Sequence, residues 1–255
     1  MRAIALQSGS SGNCIYVEAD GVRLLFDAGI SGRQAELRLA ALGRDIRAAD
    51  ALLISHDHAD HVRCAGIYQR KFHLPIYATA ATLAAADAWR PLGPISDVTY
   101  FRAGSAVRFG DVTVETIPTP HDAADGVAFV VDDGRRRLGI LTDLGHVFDG
   151  LAETVRSLDA VLLESNYDAG MLETGPYPAF LKRRIRGRAG HLCNVEAAEL
   201  LAASAGRRMR WACLAHLSEQ NNDPHLALRT HRAVLGDGLD LHLASRYRAS
   251  EVLEV

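Results

Sequence analysis

The 255-residue chain carries 28 Lys and Arg against 31 Asp and Glu, a formal charge of −3, with 48% hydrophobic and 23% charged residues. That balance excludes a disordered segment, a collagen-like repeat and a coiled coil. It also excludes wholesale basicity, so any polyanion would have to be met by a local patch. The longest uncharged stretch of note, residues 74–86, is short and holds Pro75 and two threonines, so no membrane association is expected. The N-terminus lacks the long apolar region of a secretory signal. Cys14, Cys64, Cys193 and Cys213 stand far apart with no CxxC pair, which points to a reducing cytoplasm.

In chain order, strand signals over residues 15–19 and 22–26 flank Asp20-Gly21, a hairpin pair because both residues tolerate positive φ. The same pattern recurs at Gly110-Asp111 and at Asp132-Asp133-Gly134, the latter between residues 127–131 and 138–141. Helical spacing covers residues 33–41, 63–72 and 80–89. After Asp143 follow helix 147–157, strand 160–163, helix 195–204, strand 211–215 and helix 224–235. Alternating strands and helices with no linker predict one layered α/β or α+β domain over residues 1–255.

The strongest chemical signal is Ser55-His56-Asp57-His58-Ala59-Asp60-His61, directly after the apolar run 51–54. Clustered imidazoles depress one another's basicity unless something positive sits among them. A divalent metal supplies that charge, and neutral imidazole with carboxylate is the donor set of zinc, manganese or iron. In extended chain His56 and His58 point the same way, and Asp60 and His61 then turn toward a second point. His121 follows the strand 112–117, Asp143 ends another strand, and His216 follows a third. Strand ends hold ligands rigidly while the loops leave a metal accessible.

The set HxHxDH, a later His, an Asp and a final His resembles the metallo-β-lactamase-fold hydrolases. The resemblance implies a four-layer αβ/βα sandwich of two mixed sheets flanked by helices, with two divalent metal ions between the sheets. Carried over by motif, His56, His58 and His121 would hold one metal, Asp60, His61 and His216 the other, and Asp143 would bridge them. An aspartate at the bridging place resembles the phosphodiesterase branches; the β-lactamases have cysteine there. Ser8-Gly9-Ser10-Ser11-Gly12-Asn13, Leu163-Glu164-Ser165-Asn166, Gly190-His191-Leu192 and His216-Leu217-Ser218-Glu219-Gln220-Asn221-Asn222 are similar to the YycJ/WalJ-type proteins, a group associated with DNA exonuclease activity. Three positions depart from that pattern: Tyr167 where histidine is usual, Cys193 for serine, and Asp125-Gly126 for an acidic residue followed by proline.

The activity so implied is phosphodiester cleavage by metal-bound hydroxide, which Asp60 would orient, most simply in a 5′–3′ DNA exonuclease. Glu164 and His191 resemble the Glu/His pair of the tRNA-processing nucleases, and an imidazole held by a carboxylate is a competent general acid. Asp27 would accept the free N–H of a liganding imidazole; a plain turn aspartate is the alternative. The loop 8–13 either presents N–H groups to phosphate or forms a tight hairpin. On the phosphate reading Ser10, Ser11 and Asn13 touch substrate, together with Asn166 and Asn194. Lys182 and Arg184 belong to a run of five cations in residues 182–188 that could track a phosphate backbone. Cys193, three before Glu196, stands where serine would complete a capping box, which passes the cap to Asn194. The partner expected is nucleic acid, DNA in preference to RNA, and a homodimer is left open. Against this stand a thioesterase- or lactonase-type hydrolase of the same fold, which has no use for the basic run, and a non-catalytic regulator, which has no use for a complete ligand set.

Overall fold

The computed structural model describes residues 1–255. In chain order the first half runs β1 (Arg2–Gln7), β2 (Cys14–Ala19), β3 (Val22–Phe26), α1 (Gly32–Ala40), β4 (Ala51–Leu53), α2 (Ala59–Val62), α3 (Ala65–Phe72), β5 (Ile76–Ala78), α4 (Ala80–Trp89) and β6 (Val98–Tyr100). The second half runs β7 (Ala106–Phe109), β8 (Val112–Pro118), β9 (Val127–Asp132), β10 (Arg137–Leu141), α5 (Leu151–Arg156), β11 (Ala160–Glu164), α6 (Ala169–Thr174), α7 (Ala179–Ile185), α8 (Asn194–Ser204), β12 (Trp211–Ala215), α9 (Pro224–Leu235), β13 (Asp240–Leu243) and β14 (Leu253–Glu254).

Two seven-stranded sheets result, ordered β14-β1-β2-β3-β4-β5-β6 and β13-β12-β11-β10-β9-β8-β7. Both are mixed: hairpins pair antiparallel from β1 to β3 and β7 to β10, and crossovers make β3 to β6 and β10 to β13 parallel. Alternation along each strand sends one set of side chains inward and the other outward. Ala3, Ala5, Val17, Phe26 and Leu53 from the first sheet therefore meet Val114, Phe129, Val131, Ile140 and Leu162 from the second in a shared core. Phe26 and Phe129 pack with ring centroids 5.0 Å apart and their planes tilted by 54°, and truncating either to alanine would cost about 3–5 kcal/mol.

The opposite faces are covered too. Ile4, Tyr16, Leu25 and Leu52 pack under Ala35, Leu39, Tyr68 and Phe72 of α1 and α3. Val130, Val161 and Ala212 pack under Val155, Ala197 and Leu201 of α5 and α8. These are the four αβ/βα layers expected from the resemblance. Burial on both faces explains why central strands such as Ala160–Glu164 read as apolar runs with little alternation.

Some expectations are corrected. The helix expected over residues 147–157 begins only at Leu151, behind Gly150 at φ 87°. The helix expected over 63–72 is α3 and begins only at Ala65, with Arg63 and Cys64 separating it from the short α2 before them. Cys193 itself caps α8 as in a capping box: its Sγ accepts the Glu196 N–H at 3.5 Å and the Glu196 carboxylate accepts the Cys193 N–H at 2.9 Å. Sulfur can stand in for a serine oxygen because the acceptor is soft but correctly placed. Asn194 is therefore the first residue of α8 and not its cap.

Candidate metal centre

Asp27, His56, His58, His121, Asp143, Glu164 and His216 all lie at or just past the C-terminal ends of β3, β4, β8, β10, β11 and β12. His58 precedes α2, whose first turn carries Asp60 and His61. Asp27, Asp143 and His216 adopt φ of 64°, 58° and 54°. This left-handed turn is uncommon for residues with a Cβ and marks a backbone held in place by its surroundings. It follows directly on a buried strand, and it brings each side chain into the gap where the two sheets meet.

Two triplets of ligand atoms converge there, His56 with His58 and His121, and Asp60 with His61 and His216, each with all atoms within 4.8 Å of one another. Asp143 lies between them. Its Oδ2 is 3.3 Å from His61 Nε2, and its Oδ1 is 3.3 Å from His216 Nδ1 and 3.7 Å from His121 Nε2. A further group, Asp143, Glu164, His191 and His216, meets the same criterion. The seven side chains singled out for metal binding in the sequence are thus brought together around one point of the sheet edge.

The surrounding hydrogen bonds assign which imidazole nitrogens stay free. Asp27 Oδ1 accepts the Ser55 N–H at 2.8 Å, and its Oδ2 accepts from Ser55 Oγ at 2.9 Å and from His61 Nδ1 at 2.7 Å. Ser55 Oγ, having donated to Asp27, accepts from His56 Nδ1 at 2.9 Å. The Gly190 carbonyl can only accept, so His121 Nδ1 at 2.9 Å carries the proton. His56 and His121 therefore turn an unprotonated Nε2 inward, which is the arrangement a metal ligand needs. His56 Nε2 and Asp143 Oδ2 are buried with no hydrogen-bond partner. An orphaned lone pair in the interior is costly, and two of them facing one cluster fit a cation.

Electrostatics point the same way. Burial, with His61 next to it, holds His56 well below the usual imidazole range, and burial likewise lowers His121. Burial would lower His216 as well, but Asp143, Asp60 and Glu164 outweigh it and push it up to about 10. Asp143, Asp27 and Asp60 raise His61 in the same way against burial. The carboxylates favour positive charge on this side of the cluster, and a proton or a metal ion can supply it.

Glu164 is fully buried at the end of β11. Its Oε1 accepts from His191 Nδ1 at 2.7 Å, and its Oε2 accepts the Leu144 and Leu192 N–H groups, both at 3.1 Å. Against burial, His191 and His216 hold this carboxylate down at about 2. A solvated strand end is excluded for Glu164. Its negative charge fixes the His191 ring, which stays partly exposed beside the candidate ligands.

The ligand atoms open into a cleft of about 360 Å³ lined by Ser10, Asn166, Tyr177, Arg184 and His191 among others. Ser10, Asn166 and Arg184 thus face it, and Asn166 Nδ2 is also tied to the His216 carbonyl at 2.8 Å. The other residues assigned to substrate lie elsewhere. Asn13 is buried, with its Nδ2 2.9 Å from His61 Nε2 and its Oδ1 accepting the Gly9 N–H at 2.8 Å, so it braces the ligands. Asn194 is buried between Ser165 and Asn222, both ends of its amide satisfied at 2.6 and 2.9 Å, and faces no cleft. Ser11 is exposed in the loop 8–13 and its Oγ accepts from Gln7. Lys182 donates to the Glu173 carbonyl.

The loop 8–13 is a brace more than a phosphate cradle. Gly12 N–H bonds to Gly9 O, and Asn13 N–H to Asp60 O at 2.7 Å. The basic run is partly engaged as well: Arg184 pairs with Asp122, Arg186 with Glu173, and Arg188 with His146. Three residues that sequence reasoning passed over matter here. Ser55 ties Asp27 to His56, and Asp122 ties Arg184 to His58, whose Nε2 is 3.6 Å from the carboxylate. At Gly29 a Cβ would stand 1.7 Å from the Asp60 carbonyl oxygen. Each adjoins a motif in sequence, which is the only signal they offered.

Two facing mixed sheets with a histidine and carboxylate cluster at one edge define a metallo-β-lactamase-type protein. A model of the β-lactamase superfamily domain matches residues 22–216. The chain is 35% identical over 244 residues to exodeoxyribonuclease YycJ of Bacillus anthracis, covering 93% of this chain and 92% of the relative. It is 37% identical over 244 residues to exodeoxyribonuclease WalJ of Streptococcus pneumoniae, covering 92% and 90%. The crystal structure of the metallo-β-lactamase fold protein YhfI from Bacillus subtilis superposes with a TM-score of 0.72 over 98% of each chain at 17% identity. The chain therefore belongs to the β-lactamase superfamily, in the YycJ/WalJ family. No helix is long and apolar enough to cross a membrane.

Proposed function

We propose that the protein, acting as one domain, is a two-metal phosphodiesterase that removes nucleotides from DNA as a 5′–3′ exonuclease. One observation carries the reading: two ligand triplets flank a buried Asp143, and His191, held from behind by buried Glu164, lines the same cleft beside them. The names of the relatives above give the substrate class. In this reading His56, His58 and His121 hold one ion, Asp60, His61 and His216 the other, and Asp143 both. Imidazole with carboxylate suits zinc or manganese, and iron remains compatible. Divalent ions so held would neutralise phosphoryl oxygens and lower the pKa of a water in the cleft.

The chain's own groups supply the rest. Asp60, partly exposed between His61 and His216, accepts a hydrogen bond from that water and aligns it. His191 gives a proton to the leaving oxygen, and buried Glu164 keeps the ring oriented and stabilises its positive charge. Ser10, Asn166 and Arg184 line the path of the backbone. Free Cys14, Cys64, Cys193 and Cys213 support a reducing, cytoplasmic setting.

Elemental analysis of purified protein, with digestion of DNA labelled at either end and a thioester control, tests this. Two ions per chain and stepwise release from the 5′ end are expected. Thioester turnover without phosphodiester cleavage would reject the nuclease reading.

A further inference from the structure

Trp89 ends α4 with 87% of its surface exposed, whereas Trp211, the other tryptophan, is 4% exposed. Leaving an indole in water is unusual because its ring normally contributes large buried area. Trp89 forms one wall of a groove of about 370 Å³, floored by the buried side chains of Val62, Ala86 and Leu92. Arg63, Arg90 and Arg184 stand around it, against two carboxylates, Asp57 and Asp122. Arg63 donates to the Ser11 carbonyl and Arg184 to Asp122, while Arg90 has neither an ion-pair nor a hydrogen-bond partner for its guanidinium. The groove also includes His58, Ala59, Asp122 and Arg184, which line the metal cleft as well, so the two hollows share a wall.

A flat exposed aromatic with an apolar floor and a cationic rim is how proteins hold an unpaired base and its phosphates. A paired base hides its face inside a stack and cannot offer it to a side chain. We propose that this groove binds a nucleotide of the substrate strand outside the scissile linkage, with its base stacked on the Trp89 indole and its phosphates against Arg63 and Arg90. The strand is therefore taken single-stranded at this point. The inference rests on the phosphodiesterase reading for its substrate, and it assigns a second subsite to that reaction.

The test uses metal-loaded protein and phosphorothioate-linked oligothymidylate, which resists hydrolysis. Trp89 emission is expected to be quenched on titration. In Trp89→Leu, where only Trp211 reports, the quench is lost and the affinity falls about 10-fold. In Arg63→Gln and Arg90→Gln the slope of affinity with salt falls by about one each. In turnover, the advantage of tetrathymidylate over dithymidylate in kcat/KM is expected to shrink about 10-fold in Trp89→Leu and to recover partly in Trp89→Phe. If Trp89→Leu keeps both that advantage and the affinity, the subsite is refuted while the nuclease reading stands. If the parent cleaves neither substrate, the nuclease reading fails, and the emission titration still decides whether the groove binds the strand. A Trp89 signal that follows protein concentration and ignores oligonucleotide would assign the face to a second copy and overturn the proposal.

Discussion

Replacing Asp27 by Asn tests the hydrogen-bond chain that aims the ligands. Asparagine tolerates the left-handed backbone at φ 64°, so the change acts on the carboxylate alone. Its Oδ1 can still accept the Ser55 N–H, but an NH₂ now replaces the oxygen that lies 2.7 Å from His61 Nδ1 and 2.9 Å from Ser55 Oγ. Two donors then face each other unless His61 moves its proton to Nε2, the nitrogen turned toward Asp143 and Asp60. A protonated Nε2 cannot bind a cation, so metal affinity is expected to fall 10- to 100-fold, about 1.4–2.7 kcal/mol. The fold itself loses about 1–3 kcal/mol from one buried charged hydrogen bond. Zinc competition against a chelator measures the first quantity, and urea denaturation with excess chelator the second. An Asp27→Asn protein that binds zinc within twofold of the parent would refute the reasoning.

His191→Ala is expected to lower kcat by about 10²–10⁴-fold with two ions per chain retained; loss of one ion would make His191 a ligand instead. Gly29→Ala drives a Cβ to 1.7 Å from the Asp60 carbonyl oxygen, with Asn13 N at 2.6 Å, and should cost at least about 3 kcal/mol because backbone on both sides must shift. An unchanged urea midpoint would count against that close approach. The pH dependence follows from His216, raised to about 10 from an ordinary 6.5. Its contribution to stability is complete below about pH 6.5 and is lost as pH rises through about 10 in chelator-treated protein. Metal loading should flatten that loss, and urea midpoints across pH with and without zinc check it.

The candidate metal ligands were legible because each lies beside a local signal. His56, His58, Asp60 and His61 fall within six residues, Asp143 and His216 each follow a strand whose apolar run stands out, and His121 follows one with clear alternation. Buried strands are long enough to be seen as such, and their ends are where a side chain can leave the core. The Glu164–His191 pair came through resemblance and is joined in space at 2.7 Å. Some short elements were missed. β5 and β6 have only three residues each, too few for a period to declare itself. β1 is completed by a partner at the far end of the chain, where Arg2 pairs with Glu254 and Ala3 with Leu253.

Local chemistry in the sequence thus determined the layered α/β class and the candidate donor set, since periodicity and ligand type act over a few residues, and the fold family came through the resemblance of the motifs. Only the tertiary structure decided that Asn13 and Asn194 look inward, that Asp27 holds His61 directly and His56 through Ser55, and that Trp89 stands in water beside the cleft. An asparagine or an indole carries the same letter whether buried or exposed. Its surroundings come from elements dozens of residues away, and the packing of those elements sets where each polar group finds its partner.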